Sequence, residues 1–224
     1  LGFASENHIL DENNIKVLAI VRKNTGRLQR LPKSDLVDVF ECDLDSLGQI
    51  QLGERDYDVF YHFAWASTSK DKRDNPVLQE KNISYSLDAV ELASRLGCRK
   101  FVGAGSQAEY GFVDGSIGPD TPVNPVISYG IAKYASGKLC EKRCTQLGMD
   151  FVWGRIFSVY GCYDNEGTML NYAIDTLLKK EIPAFSAATQ YWDYLYEDDA
   201  GMIFYLLGEK KVNSGVYCVA NGEA

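Results

Sequence analysis

Two short apolar runs, DVFYHFA at Asp58–Ala64 and KFVG at Lys100–Gly103, flank a helical pattern at residues 76–96. Within that pattern apolar residues recur at helical spacing, and Gly97 follows as a stop signal. The recurring residues are Ile83, Leu87, Val90 and Ala93. A strand, a helix and a second strand in this order predict a βαβ unit, in which the two strands run parallel.

The same alternation extends along the chain. Further strands are predicted at Lys16–Val21, Val37–Cys42 and Phe151–Phe157, and a second helix at residues 128–147. After Gly161 the pattern becomes irregular, with one more helix near residues 169–180. We therefore expect an α/β fold with a Rossmann-like, doubly wound parallel sheet.

Composition and charge narrow the classes of function. The chain has 224 residues, of which 46% are hydrophobic, and its 23 basic and 31 acidic side chains give a net charge of −8. Because an acidic surface repels phosphate backbones, we expect no nucleic-acid partner. No apolar run approaches the ~18–20 residues of a membrane span, and no signal peptide is visible, so a cytoplasmic location is expected. The six cysteines lack metal-ligand spacing, and we expect buried thiols and no metal site.

A tyrosine and a lysine four residues apart, Tyr129 and Lys133, fall on one face of the predicted second helix. An ammonium beside a phenol favours the phenolate, so we expect the pKa of Tyr129 to be lowered from ~10 toward neutrality. Such a phenol can transfer a proton to or from a carbinol or ketone. Tyr134 and Lys138 have the same spacing, but Tyr129 follows the turn at residues 122–128, which delivers it to the helix start.

A serine follows the predicted strand Lys100–Gly103, after two further small residues. Ser106 lies in the segment FVGAGSQAEYG, 23 residues before Tyr129. A hydroxyl at a strand end can hydrogen-bond the substrate oxygen that a tyrosine protonates. The serine and the Tyr129–Lys133 pair therefore form a candidate catalytic set.

Together with other segments, this set resembles the extended short-chain dehydrogenase/reductase family, in its NAD(P)-dependent nucleotide-sugar epimerase/dehydratase branch. The segments that carry the resemblance are Asp43–Leu44, Asp58–Ala66, Asn82, Ser106–Gly111, Tyr129–Lys133, Arg155–Gly161 and Trp192–Asp199. The resemblance implies a catalytic set of Ser106, Tyr129 and Lys133. It implies cofactor contacts at Asp43, Leu44, Phe63, Ala64, Ala66, Asn82, Tyr129, Lys133 and Phe157. Substrate contacts are expected at Ser106, Ser158 and Trp192.

The resemblance also implies an organisation and a reaction. Residues 1–161 are expected to form the dinucleotide-binding domain, and residues 162–224 part of a substrate lobe interleaved with the last strands. Hydride transfer between a nicotinamide and a sugar carbon is the implied chemistry. A homodimer is expected through the helices at 76–96 and 128–147. The apolar residues cited for that interface are Leu78, Ile83, Leu92 and Leu96.

Several positions depart from the family pattern and narrow the reaction. Ser158 stands where an asparagine is usual, and Trp192 stands where an arginine is usual. These two substitutions leave open which nucleotide the substrate carries. Members that eliminate water carry an Asp-Glu pair directly after the serine or threonine, whereas this chain has Gln107 and Ala108. Neither side chain can give a proton near neutral pH, so elimination is not expected and an epimerase or a 4-keto reductase remains.

The cofactor and two alternative functions stay open. The strand ending Ile20–Lys23 has no acid to bind the adenine ribose of NAD, while Arg22 could pair with the 2′-phosphate of NADP. NADP is therefore expected to be tolerated or preferred. Gly2 is either the last glycine of a phosphate-binding turn or an arbitrary terminal residue. The alternatives are an NADPH-dependent reductase of a non-nucleotide ketone or aldehyde, and a catalytically silent dinucleotide-binding scaffold.

Overall fold

The computed structural model describes residues 15–53, 56–118, 120–164, 167–187, 189 and 191–223. Gly2 and the helical stretch expected at residues 3–13 lie outside the described residues. In the described part, the strands are β1 (Val17–Val21), β2 (Val37–Glu41), β3 (Val59–His62), β4 (Lys100–Ser106), β5 (Asp150–Ile156), β6 (Ser158–Tyr160), β7 (Tyr194–Tyr196) and β8 (Gly215–Val219). The helices are α1 (Pro76–Arg95), α2 (Ser128–Leu147), α3 (Met169–Leu178) and α4 (Glu197–Glu209).

All of these strands pair in parallel. The central sheet has the order β3-β4-β5-β8, while β1 pairs with β2 and β6 with β7. The register of the central pair sets Lys100 opposite Asp150 and Ser106 opposite Ile156. A helix follows each of β3 and β4 and brings the chain back to the edge of the sheet at which the strands begin, so that the next strand runs parallel. This confirms the expected α/β class with a parallel, Rossmann-like sheet.

Strand β4 runs to Ser106, three residues beyond the predicted end at Gly103. The small residues Gly103 and Gly105 lie against the indole of Trp153, where an added Cβ would overlap the ring. Glycine weakens a strand by local propensity, so the sequence predicts an early end. The packing of Trp153 requires these glycines, and the strand therefore carries Ser106 to the edge of the sheet.

Helix α1 begins where the sequence predicts. The Asn75 side chain caps it by accepting a hydrogen bond from the Leu78 backbone, and Pro76 occupies the first turn. Leu92 on its inward face and Leu96 directly after its end are 1% and 4% exposed. These two leucines belong to the core, so citing them as support for a dimer interface is wrong.

The core lies on both sides of the central sheet. One side packs α1 and α2 against Phe101, Phe151 and Trp153. The other packs α4 against Val102 and Val152. The hydroxyl of Tyr61 in β3 abuts Gly208 in α4, at a place where an added Cβ would overlap it.

The chain from Ser158 onward contains elements that periodicity does not reveal. Strands β6 and β7 have three residues each, which is too short for a period to emerge. Helix α4 begins with three acidic residues, a pattern that favours a helix N-terminus. Its C-terminal neighbour β8 joins β5, so this late part of the chain completes the central sheet.

The cysteines, the potential metal ligands and the lengths of the helices bear on three of the sequence-based expectations. Cys42, Cys98, Cys140 and Cys144 are buried, whereas Cys162 and Cys218 are exposed. Among the described residues, no group of three or more potential metal ligands comes together. None of the helices in this part of the chain is both long and apolar enough to cross a bilayer.

Candidate active site

A cleft of about 1310 Å³ opens at the carboxyl ends of β3, β4 and β5. Parallel α/β sheets bind ligands at this edge, because the strands end there and the loops diverge. The cleft is larger than the ~300–1,000 Å³ of a pocket for one small ligand. Its walls include Ser106, Tyr129 and Lys133, which come from β4 and α2.

Ser106 is held at the last position of β4 and is only 6% exposed. Its hydroxyl oxygen accepts the Ala108 backbone N–H at 3.2 Å, and its own N–H donates to Glu109 Oε1 at 2.9 Å. These two bonds form a capping box for the short helix Gln107–Glu109. The Ser106 hydroxyl also acts on the Tyr129 phenol, where it lowers the pKa.

Glu109 lies behind this serine and is 1% exposed. Its carboxylate accepts Arg155 Nε at 2.7 Å and Trp153 Nε1 at 2.9 Å. The structure gives Glu109 a structural role, because its contacts join the end of β4 to Trp153 and Arg155 of β5.

Tyr129 stands in the first turn of α2, and its ring meets the edge of Trp65 at 5.9 Å between centroids. Burial raises the pKa of the phenol above its ordinary value, while the Ser106 hydroxyl and the Arg73 guanidinium oppose the shift. The expectation of a lowered pKa is therefore wrong for this structure, since removal of the phenol from water outweighs both favourable partners.

Lys133 follows one helical turn later and is 4% exposed. Its ammonium donates to the Ala104 carbonyl at 2.6 Å and lies 3.8 Å from the centroid of the Trp65 ring. Burial lowers the pKa of Lys133 to about 7, with Glu109 opposing and Arg73 adding to that shift. Its ammonium is 5.9 Å from the Tyr129 ring centroid.

The second tyrosine–lysine pair lies elsewhere. Lys138 is exposed and donates to Glu141 at 3.0 Å on the surface of α2. Neither Tyr134 nor Lys138 is among the residues that line the cleft. The choice of Tyr129 over Tyr134 thus agrees with the geometry.

The predicted cofactor contacts fall into two groups. Phe63 and Phe157 line the cleft. Arg22 is exposed and directly follows β1. Asp43 and Leu44 follow β2, whose carboxyl end lies beside that of β1. The Asp43 carboxylate accepts the Lys23 backbone N–H at 3.3 Å.

Asn82 lies behind the strand end rather than on the cleft wall. It is 1% exposed, and its amide oxygen accepts the Ala66 backbone N–H at 2.8 Å. Its amide nitrogen donates to the Ala66 carbonyl at 3.2 Å. Asn82 therefore fixes the path of the chain at Ala64–Ala66, and a direct contact with a cofactor stays a prediction.

Two of the departures from the family pattern, Ser158 and Trp192, face the cleft. Ser158 accepts a hydrogen bond from Gln107 Nε2 at 3.4 Å, and Trp192 is half exposed on the wall. Two further residues of the cleft, Trp65 and Arg73, are not found by sequence reasoning. Arg73 belongs to a charged run, KDKRD, that resembles an ordinary solvated loop.

The sequence profile of the NAD dependent epimerase/dehydratase family matches residues 4–220. The chain belongs to this family. It is 27% identical over 205 residues to a putative UDP-glucose 4-epimerase of Methanocaldococcus jannaschii, covering 86% of this chain. The chain spans 66% of the length of that curated relative.

Solved structures of family-like enzymes share the fold. A UDP-N-acetylglucosamine 4-epimerase from Methanobrevibacter ruminantium superposes with a TM-score of 0.82 at 23% identity, covering 96% of this chain and 73% of that chain. A dTDP-glucose 4,6-dehydratase from Streptomyces venezuelae gives a TM-score of 0.80 at 19% identity, covering 98% and 71%. At these identities the likeness establishes the architecture.

Membership of the epimerase/dehydratase family implies a nicotinamide dinucleotide, and the described part of the site fits one. The volume of the cleft, about 1310 Å³, exceeds that of a pocket for one small ligand. Its donors, the Ser106 and Tyr129 hydroxyls and the Lys133 ammonium, suit sugar hydroxyls and a carbonyl or carbinol oxygen. The exposed Ala64 leaves the strand end β3 open to a ligand.

Proposed function

We propose that this chain carries the catalytic core of an NAD(P)-dependent epimerase or 4-keto reductase that acts on a nucleoside-diphosphate sugar. The observation that carries the proposal is the convergence of Ser106, Tyr129 and Lys133 on one cleft at the carboxyl edge of a parallel sheet. Three groups of this kind have no use in a silent scaffold. The relative named a putative UDP-glucose 4-epimerase supports the substrate class.

A bound nicotinamide would supply the hydride acceptor and donor. Tyr129 takes the proton from the substrate hydroxyl as the carbon is oxidised, and returns it on reduction. Ser106 holds the substrate oxygen beside the phenol, because its own backbone is fixed by Glu109. Lys133 is expected to hold ribose hydroxyls, and its position on α2 keeps it one turn from Tyr129.

Elimination of water is not part of the proposal, although one solved neighbour is a dehydratase. Gln107 donates its amide to Ser158, and Ala108 has only a methyl group. Glu109 is the nearest acid in the segment, but it is enclosed and paired with Arg155. The described residues that directly follow Ser106 thus offer no carboxyl group that is free to act as the acid or base of an elimination.

The experiment is a panel of nucleotide sugars tested with NAD and with NADP. We expect either a 4-epimer without net cofactor turnover, or a reduced sugar with consumption of the reduced nicotinamide. A 4-keto-6-deoxy product from dTDP- or UDP-glucose would contradict the argument from Gln107 and Ala108. Turnover of simple ketones but not of nucleotide sugars would favour the alternative reductase, for which the substitution at Trp192 leaves room.

The proposal includes a homodimer. Apolar side chains remain exposed on α1 and α2 at Val77, Ile131 and Leu139, which are 67%, 52% and 46% exposed. A self-complementary patch on two neighbouring helices is typical of an isologous interface. Sedimentation at micromolar concentration is the test, and a protein that stays monomeric there would contradict it.

A further inference from the structure

The proposed chemistry assigns no role to one charged side chain of the cleft. Arg73 comes from the loop before α1 and lines the cleft beside Tyr129, with its guanidinium carbon 4.1 Å from the centroid of that ring. No ion pair among the described residues involves Arg73. A guanidinium that rests on an aromatic ring uses its face, so the N–H donors along its edge remain available to an anion.

The loop that carries Arg73 is built around a buried side chain of α1. Gln79 is 1% exposed, and its amide oxygen accepts Trp65 Nε1 at 2.9 Å. Its amide nitrogen donates to the Ser67 carbonyl at 2.8 Å and to the Lys72 carbonyl at 3.3 Å. One buried amide thus binds both ends of the loop and gives it a defined path.

The start of α2 fixes the end of the same loop. The Arg73 carbonyl accepts the Tyr129 backbone N–H at 3.1 Å. Next to it, the Asp74 carboxylate accepts the Ser128 backbone N–H at 2.8 Å. Arg73 and Tyr129 are therefore held beside each other through their backbones.

Two cations and one carboxylate are the charged side chains among the described residues that line the cleft. The cations are Arg73 and Lys133, and the carboxylate is Asp164 on the loop after β6. Burial lowers the pKa of Lys133, and the nearby charge of Arg73 adds to that shift. Glu109, which opposes the shift, is already engaged in a buried ion pair. The surroundings of Tyr129 are thus electropositive in a chain whose net charge is −8, and they favour a negative group of the ligand.

The place of Arg73 indicates which part of a nucleotide sugar it would meet. In the proposed reaction Tyr129 acts on the oxygen at C4 of the sugar. The diphosphate is attached to C1, across the pyranose ring from C4, whereas C6 is attached to C5, the direct neighbour of C4. A cation beside Tyr129 is therefore suited to the substituent at C6, and a carboxylate there matches the fork of a guanidinium.

We propose that Arg73 is a specificity-determining residue that pairs with a carboxylate at C6 of the sugar, so that the substrates are nucleoside-diphosphate uronic acids. The inference rests on the proposed function, because that function places the sugar C4 at Tyr129. A hydroxymethyl or methyl group at C6 would leave the guanidinium without a counter-charge.

The test is calorimetric titration of the full chain with matched pairs of nucleotide sugars, in the presence of saturating NAD or NADP. The pairs are UDP-glucuronic acid with UDP-glucose, and dTDP-glucuronic acid with dTDP-glucose. Within a pair the two sugars differ only at C6. We expect the wild type to bind the uronic acid of a pair about tenfold or more tightly than the glucose form, the size of a hydrogen bond to a charged group.

Substitutions at Arg73 should remove this preference. Arg73→Met should weaken binding of the uronic acid by about tenfold or more and leave binding of the glucose form unchanged. Arg73→Lys keeps the charge but lacks the planar fork, and it should retain part of the preference. Lys72→Met is the matched control, because Lys72 is an exposed neighbour on the same loop and does not line the cleft. If Arg73→Met does not fold, Arg73→Gln makes the same comparison.

The outcomes separate this inference from the proposed function. Wild-type protein that binds the glucose form as tightly as the uronic acid would overturn the inference alone. So would an Arg73→Met protein in which both sugars bind equally more weakly, since the guanidinium would then contact the diphosphate. A Lys72→Met protein with the same loss of preference would assign the effect to surface charge, and would also overturn it. Binding of neither sugar with either nucleotide would overturn the proposed function, and the inference with it.

Discussion

Glu109 and Arg155 form an ion pair that is almost wholly removed from solvent, with Oε2 and Nε 2.7 Å apart. The same carboxylate accepts the backbone N–H of Ser106 through its other oxygen. The pair therefore connects the carboxyl end of β5 to the end of β4, directly behind the serine that faces the cleft. Its integrity bears on both stability and activity.

Glu109→Gln keeps the shape of the side chain but leaves the Arg155 charge buried without a counter-charge. We expect the free energy of unfolding to fall by about 3–5 kcal/mol, as is typical when one partner of a buried pair is removed. Urea denaturation measures this loss. Glu141→Gln, which breaks the exposed pair with Lys138, is the control and should cost about 1 kcal/mol or less. Equal losses in the two variants would contradict the assignment.

Tyr129→Phe should retain the fold and lower kcat by about 10²–10⁴-fold, the range typical of losing a general acid or base. Tyr134→Phe has the same chemistry on the same helix and should change kcat little, since Tyr134 does not line the cleft. Steady-state kinetics with the substrate identified from the sugar panel gives both values. The opposite ranking would mean that the other tyrosine–lysine pair carries the chemistry.

His62 makes stability depend on pH. Burial lowers its pKa from 6.5 to about 3, so between these values the unfolded chain binds a proton that the folded chain does not. The contribution of this group to the free energy of unfolding is therefore lost as the pH falls from about 6.5 toward 3. His62→Gln should flatten that dependence in urea titrations.

Ser86→Ala is the matched control for His62. It removes the hydroxyl 3.4 Å from the ring nitrogen but leaves the titrating group in place. The pH dependence should then remain close to that of the wild type. A His62→Gln protein with an undiminished slope would show that other groups cause the acid sensitivity.

Arg22→Ser tests the preference between dinucleotides. If the guanidinium pairs with the 2′-phosphate, its loss should weaken NADP binding by about tenfold or more, the size of a hydrogen bond to a charged group, and leave NAD binding unchanged. Calorimetric titration with each dinucleotide measures both. Arg99→Ser, on the surface near Asp58, controls for the loss of one positive charge. Wild-type protein that binds NAD more than tenfold more tightly would reject the preference for NADP.

The sequence predicts those parts of the molecule that depend on local pattern. The bounds of α2 agree with the prediction, because Gly148 adopts the left-handed conformation that ends a helix. The extension of β4 is missed, since it depends on the distant ring of Trp153. Periodicity describes one element at a time, whereas this packing joins two strands.

The candidate site likewise combines residues that the sequence predicts with properties that depend on tertiary contacts. Ser106, Tyr129 and Lys133 could be found from their spacing and family resemblance, and they do share a cleft. The pKa of Tyr129 could not, because it depends on burial that no spacing encodes. Arg73 was missed for a related reason: only the bonds between its loop and α2 distinguish it from the charged residues around it.

The contact between Tyr61 and Gly208 has a consequence for sequence variation. The two positions are far apart in the chain, yet a methyl group at 208 would occupy the space of the Tyr61 hydroxyl. Substitution at either position is therefore conditional on the other. In relatives with this arrangement of β3 and α4, we expect a residue larger than glycine at position 208 only where the residue at position 61 lacks the tyrosine hydroxyl or the ring. The two positions should covary although neither lies in the cleft.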